Sequence, residues 1–420
     1  MNNTKRVFIT GFALFSLFFG AGNLILPPFL GFKAGTDWLW VGLGFMVSAV
    51  LLPLLGILAH ARLQGTMLDF GKKVSPGFAL IYCIIVYAIS LTLPAPRTAS
   101  VTHEMAISPF IGGNPWLTSS IYFILVLVFV LNRSKILDII GKLLTPMIGL
   151  ILLAIIGIGI LSFEGVTTST FPSPTVSGLL EGYQTFDAIG AVVIGGVIII
   201  SLHLKGVTSF EEKRQLITKA GLIAGLGLLI IYIGLIYLGA HYTSATEGIT
   251  RTQLLSSIST TTLGNVGYTF LSVLVALACF TTAVGIITGA SDFMKGIFKE
   301  SKTAYVITAI VGCLLGVVMG QFDVHYIIDV AVPALMFIYP ITIVLILLNI
   351  LPDTWGTIQV FRVVVVTTIL FSIPDFLATV GMASEMQPIK DLLPLGNHAM
   401  GWVLPSVIVF ILAQFWRKSA

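Results

Sequence analysis

The chain has 420 residues, of which 56% are hydrophobic and only 10% are charged, with a formal net charge of +4. Soluble domains carry about 25% charged residues, so this composition excludes a water-soluble protein. It also excludes a nucleic-acid-binding protein, because the sequence contains no concentrated basic patch. At about 20 apolar residues per spanning helix, the hydrophobic residues suffice for about twelve spans and leave no appreciable soluble domain.

Apolar runs follow one another along nearly the whole chain, and runs of this length predict transmembrane helices. The twelve predicted spans are 7–30, 38–59, 76–97, 116–131, 143–163, 183–204, 218–240, 265–291, 303–320, 324–349, 359–382 and 399–416. The longest polar connection, residues 164–182, is predicted to be an ordered external loop. We therefore predict an all-α polytopic membrane protein.

The placement of Lys and Arg tests this layout, because cytoplasmic loops of membrane proteins are enriched in both. With the N-terminus inside, 18 of the 22 basic residues fall in cytoplasmic segments. The four that fall outside are Lys33, Arg97, Arg251 and Lys390. A miscount by one helix would mix the two groups from that point onward. The split therefore predicts twelve spans with both termini in the cytoplasm.

Two spans carry residues that would interrupt a helix inside the membrane. Span 1 contains Gly20-Ala21-Gly22-Asn23 midway along its apolar run, and span 6 contains Gln184-Thr185-Phe186-Asp187. Glycine weakens a helix by about 1 kcal/mol relative to alanine. Close packing between helices is the alternative explanation for the glycines, but it explains less well why Asn23 and Asp187 accompany them. We predict that both spans are broken helices.

The two predicted breaks occupy corresponding positions in two halves of five helices each, which is typical of an inverted-repeat transporter. We expect a first repeat at 1–163, a second at 164–349, and two further spans at 350–420. A binding site should lie between the breaks. The N–H groups that begin the second half of span 1 suit a carboxylate, and the carbonyls that end the first halves suit an ammonium group or a cation. Together they describe a zwitterionic amino acid.

Span 8 contains a candidate cation site at Ala278, Thr281 and Thr282, which share one helical face. Two hydroxyls beside a carbonyl offer hard oxygen ligands without net charge, and these suit Na⁺ better than a transition metal. The alternative is that both hydroxyls bond back to their own helix. Taken alone, the motif favours that alternative. The three cysteines, Cys83, Cys279 and Cys313, lie far apart and predict neither a disulfide nor a metal site.

The segment from Phe15 to Pro28, the Gln184 to Asp187 stretch and the twelve-span layout resemble the branched-chain amino acid:cation symporter family, the BrnQ carriers. The resemblance covers essentially the whole chain. It implies a LeuT-like fold with a five-plus-five inverted repeat in a bacterial inner membrane. It also implies import of leucine, isoleucine and valine by alternating access, driven by Na⁺. No chemical reaction on the substrate is implied, so we do not expect an enzyme, and a monomer in the lipid bilayer is compatible with the sequence.

Alignment to the LeuT pattern also implies site residues. The implied substrate-binding residues are Phe18, Gly20, Ala21, Gly22, Asn23, Phe186, Asp187, Ala188 and Gly190. Among them, the N–H groups of Ala21 and Gly22 would meet the substrate carboxylate, and carbonyls of Phe18, Asp187 and Ala188 would meet its ammonium group. The implied Na⁺ ligands are the carbonyls of Ser16, Phe19 and Ala278 and the hydroxyls of Thr281 and Thr282.

One departure from the LeuT pattern affects the coupling. A second sodium site would need a hydroxyl where this sequence has Ala188, so we expect one coupling cation and no other cofactor. Asp187 could bind the substrate ammonium or carry a proton, since a buried carboxylate is shifted toward its neutral form unless it is paired. A proton-coupled carrier for another amino acid or small amine is therefore the alternative function.

Two other classes of function, a membrane enzyme and a passive channel, compete with the transporter. A membrane enzyme should show pairs of nucleophile and base, and none is visible, whereas a passive channel would not accumulate its substrate. Asp329 in span 10 and Asp375 in span 11 are expected to be gate or packing groups. For both, we rank a structural role above a functional one.

Overall fold

The computed structural model describes residues 3–132, 136–204, 207, 209–244 and 248–416. These residues form helices and connecting turns, with no β-strand among them. The helices are α1 Asn3–Phe18, α2 Ala21–Ala34, α3 Trp38–Met46, α4 Leu52–Leu63, α5 Met67–Lys72, α6 Pro76–Thr92, α7 Pro94–Thr102, α8 Ser108–Ile111, α9 Pro115–Leu131, α10 Ile136–Ser162, α11 Pro174–Tyr183, α12 Asp187–Leu204, α13 Phe210–His241, α14 Arg251–Ile297, α15 Lys302–Met319, α16 Val324–Ile350, α17 Ile358–Thr379, α18 Ala383–Leu392 and α19 Val403–Trp416. The all-α prediction is confirmed.

Seven helical stretches of the described chain are long and apolar enough to cross a membrane, judged by length and composition. They are Gly22–Leu63, Pro76–Ile111, Phe210–His241, Arg251–Ile297, Lys302–Met319, Val324–Ile350 and Ile358–Thr379, and three shorter apolar helices lie at Pro115–Leu131, Pro146–Ser162 and Val403–Phe415. The first stretch holds the second half of span 1 and all of span 2. With the two-part span 6, these helices account for the twelve predicted spans.

The boundaries of two spans differ from the prediction. Span 3 does not end at residue 97, because a further helix begins at Pro94 and the helical stretch continues to Ile111. Span 8 begins at Arg251, and a kink at Gly264, where φ is 70°, separates a first helical segment from the rest of the helix. A positive φ is readily adopted by glycine alone. Hydropathy missed both segments because their residues are more polar than those of the spans they extend.

The described chain forms two compact units that are discontinuous in sequence. The first unit contains Met1–Val50, Tyr87–Phe186 and Lys219–Asp329. The second contains Leu51–Val86, Asp187–Thr218 and Val330–Ala420. Compact units reflect contacts, whereas the predicted repeats are related by symmetry, so the division at residues 163 and 349 stays a prediction.

In the first unit, α14 packs against α2, α7, α10 and α15. Glycines bring other helix pairs into close contact. A side chain at Gly178 of α11 would collide with the carbonyl of Val41 in α3, and one at Gly182 would collide with Ser48. Small residues four apart allow two membrane helices to approach closely, and this contact fixes the position of α11.

A reciprocal pair of glycines joins α2 to α13 in the same unit. A side chain at Gly31 would collide with the carbonyl of Ile236, and one at Gly239 would collide with the carbonyl of Pro28. Each helix therefore supplies a glycine at the point where the backbone of the other approaches. The second half of span 1 is held against span 7 by this packing.

In the second unit, α12 packs on α4, and a buried His60 Nε2 lies 2.7 Å from the carbonyl oxygen of Val192.

Asp375 of α17 is only 3% exposed, and its carboxylate lies 3.6 Å from the amine of Lys390 in α18. Lys390 is itself 15% exposed, so it forms a partly buried ion pair instead of projecting from a loop. This pair accounts for a charged residue inside span 11.

The sequence predicts that Asp329 is a gate or packing group and that the three cysteines form no disulfide. Asp329 does not face a packed bundle: its side chain is 63% exposed and lies 3.6 Å from His325 one turn earlier on α16. The cysteines Cys83, Cys279 and Cys313 are all free and buried.

Candidate substrate and cation site

Span 1 breaks at the predicted place. Helix α1 ends at Phe18, α2 begins at Ala21, and Gly20 between them is extended, with φ −107° and ψ −169°. The N–H of Gly20 donates to the carbonyl of Phe18 at 3.0 Å and to Oδ1 of Asn23 at 3.3 Å. In a continuous helix this N–H would instead bond to residue 16. The first N–H groups of α2 consequently begin a new helix end inside the span, where partial positive charge accumulates.

Asn23 holds this break together. Its Oδ1 caps the start of α2 through the Gly20 N–H, and its Nδ2 donates to the hydroxyl of Tyr232 in α13. The ring of Tyr232 also stacks with that of Phe19, with 6.4 Å between centroids. The amide of Asn23 therefore fixes the two sides of the break to a third helix. That Asn23 also contacts the substrate stays a prediction.

Span 6 is broken as well, through the three-residue link Gln184, Thr185 and Phe186 between α11 and α12. The N–H of Gln184 donates to the carbonyl of Glu181, and the N–H of Phe186 to that of Tyr183, at 3.0 Å each. Phe186 has φ of 61°. A left-handed conformation costs a residue with a side chain roughly 1–2 kcal/mol, so the surrounding packing must hold it.

The first half of span 6 is Pro174–Tyr183, within the segment that the sequence predicts as an external loop. The predicted start of span 6 at residue 183 is therefore wrong. The break at residues 184–186 lies at the beginning of the predicted span, and the helix before the break was left out. Its residues are less apolar than those of other spans, so hydropathy did not detect it. The spacing of Gly178 and Gly182 by four residues was the signal that could have revealed it.

The two breaks meet in the first unit because Gly22 has no side chain. A Cβ on Gly22 would lie 3.3 Å from the carbonyl oxygen of Gln184 and 2.6 Å from Nη2 of Arg97. Gly22, Gln184 and Arg97 are thus packed together. Phe186 joins this group, since the guanidinium carbon of Arg97 lies 5.3 Å from the centre of its ring.

The other predicted substrate residues, Asp187, Ala188 and Gly190, belong to the second unit and lie near the start of α12. Asp187 is 4% exposed and Ala188 is fully buried, and both lie in the first turn of α12. Gly190 follows in the same helix and is half-buried. Asp187 follows Phe186 directly in the chain, at the point where the second half of span 6 starts.

Arg97 is a site residue that the sequence misplaced. The prediction assigned it to the outer end of span 3, yet it is only 3% exposed, and its Nη2 donates to the carbonyl of Gln184 at 2.8 Å. Pro94 and Pro96 precede it, and the residue before a proline is disfavoured in a helix. Proline is tolerated in the first turn of a helix, however, and α7 begins at Pro94.

One predicted cation ligand of span 8, Thr282, lies next to the break in span 1, with its methyl group and its hydroxyl at the same distance from the Cβ position of Gly20. A Cβ on Gly20 would lie 3.6 Å from Oγ1 of Thr282. The Thr281 hydroxyl donates to the carbonyl of Ala278 at 2.9 Å, which is the back-bonded arrangement considered above. A hydroxyl that donates its proton in a hydrogen bond keeps two lone pairs. The Thr281 oxygen can therefore still coordinate a cation. Ser16 and Phe19, whose carbonyls complete the predicted set, lie at the end of α1 and just beyond it.

Comparison with known proteins identifies the family. The family model described as "Branched-chain amino acid transport protein" matches residues 3–420. The chain belongs to this family. Among its relatives, the branched-chain amino acid permease BraB of Bacillus subtilis is 35% identical over 419 residues, covering 96% of this chain and 94% of the relative. The family consists of transport proteins, which confirms that the chain is not an enzyme.

Solved structures with similar folds share little sequence with the chain. Mhp1, a nucleobase-cation-symport-1 family transporter, matches with a TM-score of 0.60 at 13% identity, covering 98% of this chain and 92% of Mhp1. A Na⁺-coupled sialic acid symporter matches with a TM-score of 0.60 at 14% identity, covering 98% and 90%. At this identity the comparison shows the fold, which is that of the LeuT-type transporters with broken first and sixth spans.

Proposed function

We propose that this chain imports leucine, isoleucine and valine, each together with one Na⁺, by alternating access across a bacterial inner membrane. Membership of the branched-chain amino acid transport family and the likeness to a permease for these amino acids support the substrate class. The distribution of basic residues supports cytoplasmic termini.

The observation that carries the coupling is the approach of Thr282 to Gly20. The Thr282 hydroxyl lies on α14, and Gly20 lies where span 1 breaks. A Cβ atom placed on Gly20 would be 3.6 Å from the hydroxyl oxygen. A cation bound here would touch two separate helices through uncharged oxygens. Its affinity would then depend on the spacing of the two helices and would differ between outward-open and inward-open states. This difference is what couples an ion gradient to transport.

The hard, neutral oxygen ligands of this site suit Na⁺. The fold is also shared with a transporter described as Na⁺-coupled. The groups on the described chain that could bind a transition metal do not cluster: no three His, Cys, Asp or Glu side chains come together. Both points favour Na⁺ as the coupling ion.

Asp187 supports the alternative of proton coupling, because it is a buried carboxylate beside the break in span 6. Its position in the first turn of α12 argues against this role, since the amino end of a helix stabilises negative charge. A charged Asp187 suits the ammonium group of an amino acid. Uptake that persists without Na⁺, collapses with an uncoupler and is lost in Asp187→Asn would establish the proton-coupled carrier.

The test of the proposal is leucine uptake into proteoliposomes with and without an inward Na⁺ gradient. We expect concentrative uptake by the wild type only with the gradient. The Thr281→Ala, Thr282→Ala double variant should raise the Na⁺ concentration for half-maximal uptake about tenfold or more, a loss of about 1.4 kcal/mol of binding.

Thr269→Ala is the matched control, because Thr269 lies on the same helix with its hydroxyl bonded back to Asn265, at an exposed position. It should behave as the wild type does. An unchanged Na⁺ dependence in the double variant would show that the cation does not bind at these threonines.

A further inference from the structure

A tyrosine of α13 lies against the break in span 1 and contacts it at two points. The ring of Tyr232 stacks on that of Phe19, the residue just before Gly20, with 6.4 Å between centroids and 17° between the ring planes. The Tyr232 hydroxyl accepts a hydrogen bond from Nδ2 of Asn23. Tyr232 is fully buried, and the ring of Phe45 packs edge-on against it with 5.5 Å between centroids. These contacts hold the hydroxyl in one position beside the break.

The side-chain amide of Asn23 links this hydroxyl to the backbone of the break. Its Nδ2 donates to Tyr232, and its Oδ1 accepts the N–H of Gly20 at 3.3 Å. An amide side chain carries its donors and its acceptor on different atoms of one group, so a partner for the donors orients the acceptor. Without the Tyr232 hydroxyl, the amide would be held on the oxygen side alone and could turn away from Gly20.

The direction of the Gly20 N–H determines the direction of a predicted cation ligand. This N–H and the carbonyl of Phe19 belong to the same peptide group. A peptide group is planar and trans, so its N–H and C=O point in opposite directions. A hydrogen bond that holds the N–H toward Asn23 therefore also fixes the direction of the Phe19 carbonyl. That carbonyl is one of the predicted Na⁺ ligands, and another of them, Thr282, lies next to Gly20.

A second contact between the same two helices gives Tyr232 a rigid support. The reciprocal pair of Gly31 and Gly239 holds α2 against α13, because a side chain at either position would collide with the backbone of the other helix. Gly31 lies about two turns beyond Asn23 in α2, and Gly239 lies about two turns beyond Tyr232 in α13. The hydrogen bond between Asn23 and Tyr232 therefore crosses a close-packed interface, which is what a positioning contact needs.

We propose that Tyr232 is a positioning residue for the coupling cation, and that it acts through Asn23 on the peptide group between Phe19 and Gly20. The proposal rests on the proposed function, because it takes Na⁺ bound between this break and Thr282 as the coupling ion. Tyr232 acts without touching the ion. Its hydroxyl should therefore affect the affinity for Na⁺, and it should do so only while Asn23 is present.

The experiment measures binding of radioactive Na⁺ to the purified full-length protein in lipid nanodiscs without leucine, and the Na⁺ dependence of leucine uptake into proteoliposomes. Tyr232→Phe removes the hydroxyl and keeps the ring that stacks on Phe19. We expect the Na⁺ concentration for half-maximal binding and uptake to rise about fivefold, equivalent to about 1 kcal/mol for one hydrogen bond. At saturating Na⁺, maximal uptake should stay within about twofold of the wild type. A folding defect would instead lower maximal uptake and leave the half-maximal Na⁺ concentration unchanged.

Two further variants control for the lost hydrogen bond and for the route. Tyr305→Phe is the matched control, because its hydroxyl donates to the carbonyl of Val130 at 2.8 Å, between α15 and α9, and involves neither half of span 1. It should keep the Na⁺ affinity of the wild type. Asn23→Ala should weaken Na⁺ binding about fivefold or more. Adding Tyr232→Phe to Asn23→Ala should cause no further change, because the effects of two residues that act in series do not add. Gel filtration and thermal melting establish that each variant is folded.

The outcomes separate the two proposals. Leucine uptake by the wild type that does not depend on Na⁺ would overturn the proposed function itself. A wild type that depends on Na⁺, with Tyr232→Phe indistinguishable from Tyr305→Phe, would overturn the role of Tyr232 and leave the transporter intact. An effect of Tyr232→Phe that is as large without Asn23 as with it contradicts the route through the amide. If Tyr232→Phe does not fold, Asn23→Ala decides: a Na⁺ affinity equal to that of the wild type contradicts the proposal.

Discussion

Arg251 and Glu181 form an ion pair of 3.1 Å between the start of α14 and the end of α11, with side chains only 13% and 25% exposed. The guanidinium carbon of Arg251 also lies 4.7 Å from the centre of the Phe29 ring in α2. One side chain thus joins three helices of the first unit. The sequence counted Arg251 among the basic residues of outer loops, whereas the structure gives it specific partners.

We predict that Glu181→Gln destabilises the folded protein by about 1–3 kcal/mol, between the values typical of exposed and of buried pairs. Arg251→Met should do the same, and the double variant should cost less than the sum of the two single changes. Equilibrium unfolding in mixed micelles measures these differences. Glu211→Gln is the control, because its pair with Arg214 is about 60% exposed on both sides; it should change stability by less than about 0.5 kcal/mol. Equal effects at the two pairs would contradict the prediction.

Gly22→Ala should weaken leucine transport more than it affects folding. The added methyl group would lie 2.6 Å from Nη2 of Arg97, and the end of this side chain can shift while the helices stay in place. The shift would displace the guanidinium from Gln184. We expect the leucine concentration for half-maximal uptake to rise about tenfold or more. Gly149→Ala, where a methyl group meets open space, is the control. An uptake curve for Gly22→Ala that coincides with this control would show that the space beside Arg97 is not needed.

The pair of Asp375 and Lys390 is predicted to be structural. Lys390→Met leaves a nearly fully buried carboxylate without its cation and should destabilise the protein by about 3 kcal/mol or more. The double variant Lys390→Met, Asp375→Asn removes both charges and should recover most of this loss. Unfolding midpoints measure stability, and leucine uptake of the folded double variant should stay near that of the wild type. Loss of uptake with normal stability would instead give Asp375 a role in transport.

The reciprocal glycine contact between α2 and α13 should not tolerate a methyl group. Gly239→Ala would drive a Cβ into the carbonyl of Pro28, and overpacking of this kind costs about 1–3 kcal/mol. Gly157→Ala is the matched control, because nothing lies near its Cβ position. There the higher helix propensity of alanine should stabilise the protein by up to about 1 kcal/mol. Opposite shifts of the unfolding midpoint are the expected result, and shifts of the same sign would contradict it.

Most of the spans and both breaks could be predicted from the sequence for a simple physical reason. Lipid demands continuous apolar helices, so hydropathy identifies them, and glycine beside Asn23 or Asp187 indicates where the helix can open. The approach of Thr282 to the first break followed from the family resemblance, since the threonine motif alone favoured a back-bonded helix.

Other features depend on tertiary contacts that a linear pattern does not contain. The helix Pro174–Tyr183 is stabilised by the fit of its glycines against α3, not by strong hydropathy. Arg97 is the last residue of the predicted span 3, and only the packed structure shows that Gln184 and Phe186 contact its guanidinium. The same holds for Arg251 and Lys390, whose partners lie about 70 and 15 residues away along the chain.

The burial of all three native cysteines has a practical consequence for spectroscopy. A thiol reacts as an accessible thiolate, so maleimide reagents should leave Cys83, Cys279 and Cys313 untouched in the folded protein. The wild-type sequence can therefore serve directly as the background for site-directed labelling. A single cysteine introduced at an exposed position such as Leu392 would carry the only fluorophore or spin label, without prior removal of any native residue.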